Sequence, residues 1–171
     1  MKVAATHGIA WTFGDHINTE AILGSGKEEN WGSAMDGVLA YYDPEFARKV
    51  KTGDFIVAGR NFGTSSGRPA GEILRQKGVK AVICESSSMI FYRNTWNIGL
   101  PVLQCPGILG KVKKGDEIEV DIEAGTVKNM KTGEVMQAEE TPWILLEIYR
   151  QGGMLGWIKG RRTEYKTLEQ A

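Results

Sequence analysis

The chain has 171 residues, enough for one domain with a short appendage, and its 42% apolar share is enough to form a real core. Its 21 basic and 21 acidic side chains cancel, so no net field draws it to nucleic acid or to an anionic membrane. Its two cysteines, Cys84 and Cys105, lie far apart in apolar runs with no CxxC pair. This argues against a structural zinc or ferredoxin-type cluster within the chain and for two small buried side chains in a reducing cytoplasm.

No leader-like segment or long apolar span is evident, which predicts a soluble, intracellular domain. Met1 to Phe13 carries Val3, Ala5, Ile9, Trp11 and Phe13 in alternation and is expected to form a strand. His7 within it and His16 after it are read as packed or solvated side chains, not as acid–base groups. Gly14 to Ile22 reads as a polar loop ending in a capping arrangement, because Asp15, Asn18 and Thr19 can bond nearby backbone N–H groups. The same loop could be presented at the edge of an active site. Leu23 to Gly37 is the least regular stretch, with Gly24, Gly26, Gly32 and Gly37 set among mixed charges and Trp31. A loop of this length in a compact domain is often a lid or a specificity loop. Trp31 either covers a ligand, docks a partner, or pins its own loop.

Asp43-Pro44-Glu45 starts a helix with Phe46, Ala47 and Val50 on one face, and Thr52-Gly53-Asp54 turns the chain. Phe55 to Ala58 is an apolar strand that runs into the loop Gly59 to Arg68, and Ala70 to Lys77 leaves it as a helix. Pro69 suits the first turn of that helix. Ser66, Gly67 and Arg68 would then lie at the open helix end, among unpaired N–H groups and the positive end of the macrodipole, an arrangement that suits an anion. Hydroxyls at a helix start are usually only caps. Here Thr64, Ser65 and Ser66 crowd one turn with Gly63, Gly67, Gly71 and Arg68, which is more than capping needs. The guanidinium is a fork for a carboxylate or phosphate, and the glycines let a ligand approach the backbone. No Gly-Lys-Ser/Thr ends the loop and no Gly-x-Gly-x-x-Gly fills it, so it is neither nucleotide fingerprint.

Val79 to Cys84 is a β-branched run typical of a buried strand and completes a βαβ unit. Glu85 to Ser88 caps a helix over Met89 to Trp96, and Leu100 to Leu103 begins the next strand. The loops near Ser66 and Ser86 therefore lie side by side at the carboxyl ends of neighbouring strands, where open α/β sheets bind ligands. Short β units follow: Ile118 to Ile122 and Thr126 to Lys128, with turns at Gly115-Asp116, Ala124-Gly125 and Lys131-Thr132-Gly133. Trp143 to Ile158 is expected to be helical and interrupted at Gly152-Gly153, with Ile144, Leu145, Ile148 and Tyr149 as its core stripe. Gly160 to Ala171 reads as a charged tail, frayed or docked on a partner.

Three runs carry a family resemblance: Val57 to Gly63 followed by Ser66-Gly67-Arg68; Gly14 to Glu20; and Ile90 to Asn94 with Asn97 to Leu103. In this order, across residues 9 to 160, they resemble the small subunits of 3-isopropylmalate dehydratase, the swivelling domain of the aconitase superfamily. The resemblance implies an α/β fold: a swivelling β/β/α domain with a mixed parallel core and extra short β units over residues 1–160, and a charged tail over 161–171. It implies a cytoplasmic hydro-lyase subunit, inactive without a large subunit that carries a [4Fe–4S] cluster on three cysteines, and itself binding no cofactor. The expected partners are that large subunit and a small hydroxy-carboxylic acid, with neither nucleic acid nor membrane; a homo-oligomer of the isolated chain is left open.

The family loop reads Asn-Phe-Gly-x-Gly-Ser-Ser-Arg. Laid on this chain without gaps, it puts the family's catalytic base on Ser66, its second serine on Gly67 and its carboxylate-holding arginine on Arg68. Thr64 and Ser65 complete the implied substrate-binding set, Ser65 standing where the family has glycine. Gly67 removes one expected hydroxyl, so its hydrogen bond is lost or passes to Ser65 or Thr64. The family's Tyr-Leu-type specificity segment falls on Gly24 to Trp31, which makes Lys27, Asn30 and Trp31 the candidates for reading the substrate side chain. By kinship the substrate is 3-isopropylmalate, interconverted with 2-isopropylmalate in leucine biosynthesis. A dimethylmalate, a methylmalate-type acid, a tricarboxylate, or a non-catalytic domain binding an anionic metabolite are the alternatives. The chemistry is consistent with the residues: helix-end N–H groups and Arg68 could stabilise a serine alkoxide, while the leaving hydroxyl needs a Lewis acid that this chain lacks.

Overall fold

The computed structural model describes residues 3–24, 35–65 and 69–168, with side chains through residue 162. Among them, β1 (Thr6–Thr12), β2 (Phe55–Ala58), β3 (Ala81–Cys84), β4 (Val102–Gln104), β5 (Glu117–Asp121), β6 (Thr126–Asn129) and β7 (Val135–Gln137) form a mixed sheet. Its order is β4-β3-β2-β1-β5-β6-β7. The β4-β3-β2-β1 half is parallel and the β1-β5-β6-β7 half is antiparallel. β1 joins them by dividing its length, with Ala10, Trp11 and Thr12 in register with Phe55, Ile56 and Val57, and Thr6 to Ile9 in register with Val120 to Glu117. The α/β swivelling-type fold expected from the resemblance is the fold observed.

The apolar runs explain why the parallel strands are central. Every residue of β2 and β3 is buried, and because side chains alternate across a strand these residues serve two cores. Ile56, Ala58, Val82 and Cys84 face one core, with Phe46, Phe62, Ile73, Leu74 and Phe91. Phe55, Val57, Ala81 and Ile83 face the other, with Trp96, Ile108, Ile118, Val120 and Val127. The antiparallel strands thus turn their apolar face into the second core. Phe46, Phe55 and Phe62 have no exposed surface, and each such burial contributes roughly 1.5–3 kcal/mol.

The helices are α1 (Thr19–Leu23), α2 (Phe46–Lys49), α3 (Ala70–Gln76), α4 (Met89–Asn97), α5 (Trp143–Arg150) and α6 (Met154–Leu168), with a 3-10 turn at Ile108–Gly110. α1 lies at the end of the stretch read as a polar loop. It forms because Asn18 is its cap, the side-chain oxygen accepting the Ala21 N–H at 2.7 Å. Pro69 sits one position earlier than expected, at the cap of α3, with φ −74° but a non-helical ψ of 43°. Gly71 lets α3 meet α4, since a Cβ there would lie 2.5 Å from Thr95 Cγ2. The break at Gly152-Gly153 falls as expected, with both residues at positive φ, 73° and 115°. α6 then continues to Leu168, through residues whose charge reads as a tail but whose Lys, Arg, Glu and Leu are good helix formers. Among the described residues, no helix is long and apolar enough to cross a membrane.

Candidate functional site

Three loops meet at the carboxyl ends of the parallel strands: residues 13–18 after β1, 59–65 after β2 and 85–88 after β3. The middle loop is fastened to both neighbours. On one side, the Asn61 N–H donates to Ser86 Oγ (3.0 Å), the Phe62 N–H to the Ser86 carbonyl (3.0 Å), and the Ser88 N–H to the Phe62 carbonyl (2.9 Å). Ser88 Oγ–H donates to the Gly63 carbonyl at 2.6 Å and the same oxygen accepts the Phe91 N–H at 3.3 Å, capping α4. On the other side, the Gly63 N–H donates to the Ile17 carbonyl (2.7 Å) and the Thr19 N–H to the Thr64 carbonyl (2.9 Å). Isolated bridges Asn18–Thr64 and Phe62–Ser87 continue the parallel pairing beyond the strands.

Side chains complete the fastening. Phe62 is buried, its ring edge-on to Phe91 at 5.3 Å. Gly63, at φ 76°, is glycine for a steric reason: a Cβ there would lie 2.2 Å from Phe91 Cγ. Asp15 Oδ1 accepts the Arg60 N–H (2.7 Å), while Oδ2 takes the guanidinium through Nε (3.1 Å) and Nη2 (2.7 Å). The hydrogen bond from Arg60 holds the Asp15 carboxyl below its ordinary pKa, and Asp15 in turn raises that of Arg60. Gly59 makes room for this fork, since a Cβ there would sit 2.0 Å from Asp15 Oδ1. His16 and Asn61, both at left-handed φ (59° and 57°), face each other, with Asn61 Nδ2 3.2 Å from His16 Nδ1.

Of the residues read from sequence as the site, Thr64 and Ser65 are placed by this edge. Thr64 is half-buried and held by Asn18 and Thr19. Ser65 is exposed with φ 83°, a conformation that glycine adopts at no steric cost. Ser66, Gly67 and Arg68 lie outside the described residues, as do Lys27, Asn30 and Trp31. Beside Asn18 opens a cavity of about 710 Å3, lined by Glu20, Ala21, Ala40, Tyr41 and Tyr42 and flanked by Gly24 and Gly37. Tyr41 stands 84% exposed with its ring edge-on to Tyr42.

Sequence reasoning missed the Asp15–Arg60 fork and the second bond of Ser88; the capping arrangement it read around Asn18 and the cap it read before Met89 are both present. His7 pairs with Glu119 at 2.9 Å on the far side of β1 and takes no part in the site. The cysteines do not fit an iron–sulfur cluster, which needs more thiolates than the two cysteines supply. Both are buried, and burial pushes the Cys84 thiol up to about 12 and raises Cys105 as well. Among the described residues, no group of three or more His, Cys, Asp or Glu side chains is placed to hold a metal ion.

A parallel sheet edge with a hydroxyl- and glycine-rich loop locked between its two neighbours is the ligand-binding edge of an open α/β domain. Residues 15–107 match the family described as the aconitase C-terminal domain, and the chain belongs to that family, among small subunits of the 3-isopropylmalate dehydratase type. It is 42% identical over 164 residues to the isopropylmalate/citramalate isomerase small subunit of Methanocaldococcus jannaschii, covering 92% of this chain and 95% of that one. It is 45% identical over 157 residues to the 3-isopropylmalate dehydratase small subunit of Pyrobaculum calidifontis, covering 90% and 97%. The structure is similar to the crystal structure of 3-isopropylmalate dehydratase from Methanocaldococcus jannaschii, with a TM-score of 0.87 and 32% identity over 96% of this chain and 99% of that chain.

Proposed function

We propose that this chain is the small subunit of a heteromeric hydro-lyase that interconverts 3-isopropylmalate and 2-isopropylmalate, a step of leucine biosynthesis. The observation that carries the reading is the fastening of Asn61 to Thr64 on both sides. A loop held this way fixes Thr64 and Ser65 at the carboxyl edge of the sheet. Dehydration removes a proton from the carbon beside a carboxylate and a hydroxyl from its neighbour, and rehydration returns them to opposite carbons. Ser66 is the proton acceptor and Arg68 holds a substrate carboxylate, as the resemblance implies. Thr64, Ser65 and Gly67 complete the substrate-binding set, again as the resemblance implies. Lys27, Asn30 and Trp31 are the candidates, by the resemblance, for reading the substrate side chain. A neutral serine is a weak base, so its proton transfer depends on cationic and N–H groups that stabilise the alkoxide.

The departing hydroxyl needs a Lewis acid, which the [4Fe–4S] cluster of a large subunit supplies in this reading. A second reading, a shorter branched malate such as citramalate, is favoured by the paired name of the Methanocaldococcus jannaschii relative.

The test is to mix the purified chain with a cluster-loaded large subunit and follow the unsaturated acid by its absorbance, across isopropylmalates, citramalate, dimethylmalate and tricarboxylates. The chain alone is expected to be inactive and the pair active on a branched malate. A pair that turns over none of these acids, with the cluster shown to be present, overturns the reading.

A further inference from the structure

Ser86 and Ser88 lie on the loop after β3, outside the turn that carries the implied base and arginine, yet their hydroxyls hold the backbone that leads into it. A helix cap needs only an acceptor for an N–H of the first turn, and Ser88 Oγ supplies that to Phe91 at 3.3 Å. Its proton goes elsewhere, to the Gly63 carbonyl at 2.6 Å, the shorter of its two bonds. Ser86 Oγ accepts the Asn61 N–H at 3.0 Å, and Asn61 sits at a left-handed φ of 57° that few side chains tolerate. The two hydroxyls thus fix one residue on each side of Phe62, whose ring is locked in the core.

We propose that Ser86 and Ser88 are positioning residues for the reaction: together they set the height and tilt at which the β2 loop enters the catalytic turn. This rests on the hydro-lyase reading above. Removing both hydroxyls strips the side-chain ties from one flank of the loop, while that flank's backbone bonds between Phe62 and Ser86 and between Ser88 and Phe62, the bonds to Ile17 and Thr19 and the Phe62 anchor remain. The fold survives while the turn is less sharply placed. Proton transfer is more demanding of geometry than binding is, so the loss falls on kcat.

The test separates positioning from capping through two Ser88 variants. Ser88→Asp keeps an acceptor for the Phe91 N–H but has no proton for the Gly63 carbonyl; Ser88→Thr keeps both. In the complex with the cluster-bearing subunit, the Ser86→Ala/Ser88→Ala and Ser88→Asp variants are expected to lose kcat roughly 10- to 100-fold with KM unchanged. Ser88→Thr is expected to restore it. In the free chain, amide exchange at Asn61, whose N–H loses its Ser86 acceptor, is expected to accelerate in the double variant. In both the double variant and Ser88→Asp, the untied Gly63 peptide is expected to loosen the Gly63 N–H bond to Ile17 and speed its exchange. Exchange and kcat both unchanged in Ser88→Asp would mean that Ser88 is a cap and nothing more. Faster exchange with kcat intact would overturn the positioning role while leaving the hydrogen bonds. A wild-type pair inactive on every acid overturns the hydro-lyase reading itself, and this role with it.

Discussion

In the antiparallel half, turn residues bond mainly to their own turns, with Asn129 also reaching a neighbouring one. Asp121 Oδ1 accepts the Glu123 and Ala124 N–H groups, both at 2.9 Å, and Asp116 Oδ2 accepts the Lys113 N–H at 2.9 Å. Asn129 Oδ1 takes the Lys131 and Thr132 N–H groups at 3.0 and 3.3 Å. In the parallel half the loops after β1, β2 and β3 bond to one another, with partners 45 residues apart for Asp15 and Arg60 and 25 apart for Ser86 and Asn61. A turn that satisfies itself can be shortened or exchanged without disturbing its neighbours. Loops that satisfy each other form one rigid rim, and a rim can hold reacting groups at fixed separations. The fold thus divides its labour, with the meander closing the second core and the parallel edge presenting chemistry.

The largest effect is expected where that rim ends. Ser66→Ala should lower turnover of the reconstituted enzyme by about 10²- to 10⁴-fold, the usual worth of a positioned acid–base group. Gel filtration should show the subunits still associated. Arg68→Lys should chiefly raise KM, because an ammonium cannot grip a carboxylate with a planar fork. Unchanged turnover in Ser66→Ala would remove that side chain from the mechanism, and an unchanged KM in Arg68→Lys would remove the carboxylate contact.

Next in size is a break in the other half. Asn129 is 1% exposed, and its Nδ2 donates to the Lys111 carbonyl and to Asp116 Oδ2, both at 3.0 Å. Asn129→Ala strips these bonds and empties a buried position, so urea unfolding should show a loss of about 1–3 kcal/mol. Turnover of the complex should be unaffected at temperatures where the variant is folded. A fall in kcat matching that of a rim variant would show that the two halves are not independent, and would sharpen attention on β1, the strand they share.

The same contrast decides what could be read in advance. β2 and β3 were legible because Phe55 to Ala58 and Ala81 to Cys84 are short apolar runs between turn residues, and burial on both faces demands that. Gly152-Gly153 was legible as a helix break because two consecutive glycines disfavour helix whatever surrounds them. The meander turns were legible because Asp and Asn act within two or three residues of themselves. The rim was not. Nothing in the spacing of Asp15 and Arg60 says that they meet, and Gly59 and Gly63 show their purpose only once Asp15 and Phe91 stand against them. α1 was too short for periodicity to reveal, and α6 hid behind a composition that suits a tail as well as a helix. The family resemblance supplied roles for Ser66 and Arg68; it said nothing of the serines that hold the loop before them.

The smallest expected effect tests the outermost tie of the rim. Asp15 and Arg60 are exposed, at 32% and 66% of their side-chain surface, so solvent screens the pair and its contribution to stability is minor. Its pH dependence has a definite sign. The hydrogen bond from Arg60 lowers the folded pKa of Asp15 below its ordinary carboxyl value. The contribution is therefore fully present above the unfolded carboxyl value of about 3.9 and is lost as pH falls through the lower folded value. Arg60→Gln should narrow the stability gap to wild type only in that acidic window, leaving a constant small difference from about pH 5 upward. Thermal melts of both proteins across pH 2 to 7 at low salt would show it. A gap that stays constant through the acidic window would mean that Arg60 acts without the Asp15 carboxylate, which then contributes little to holding the two loops together.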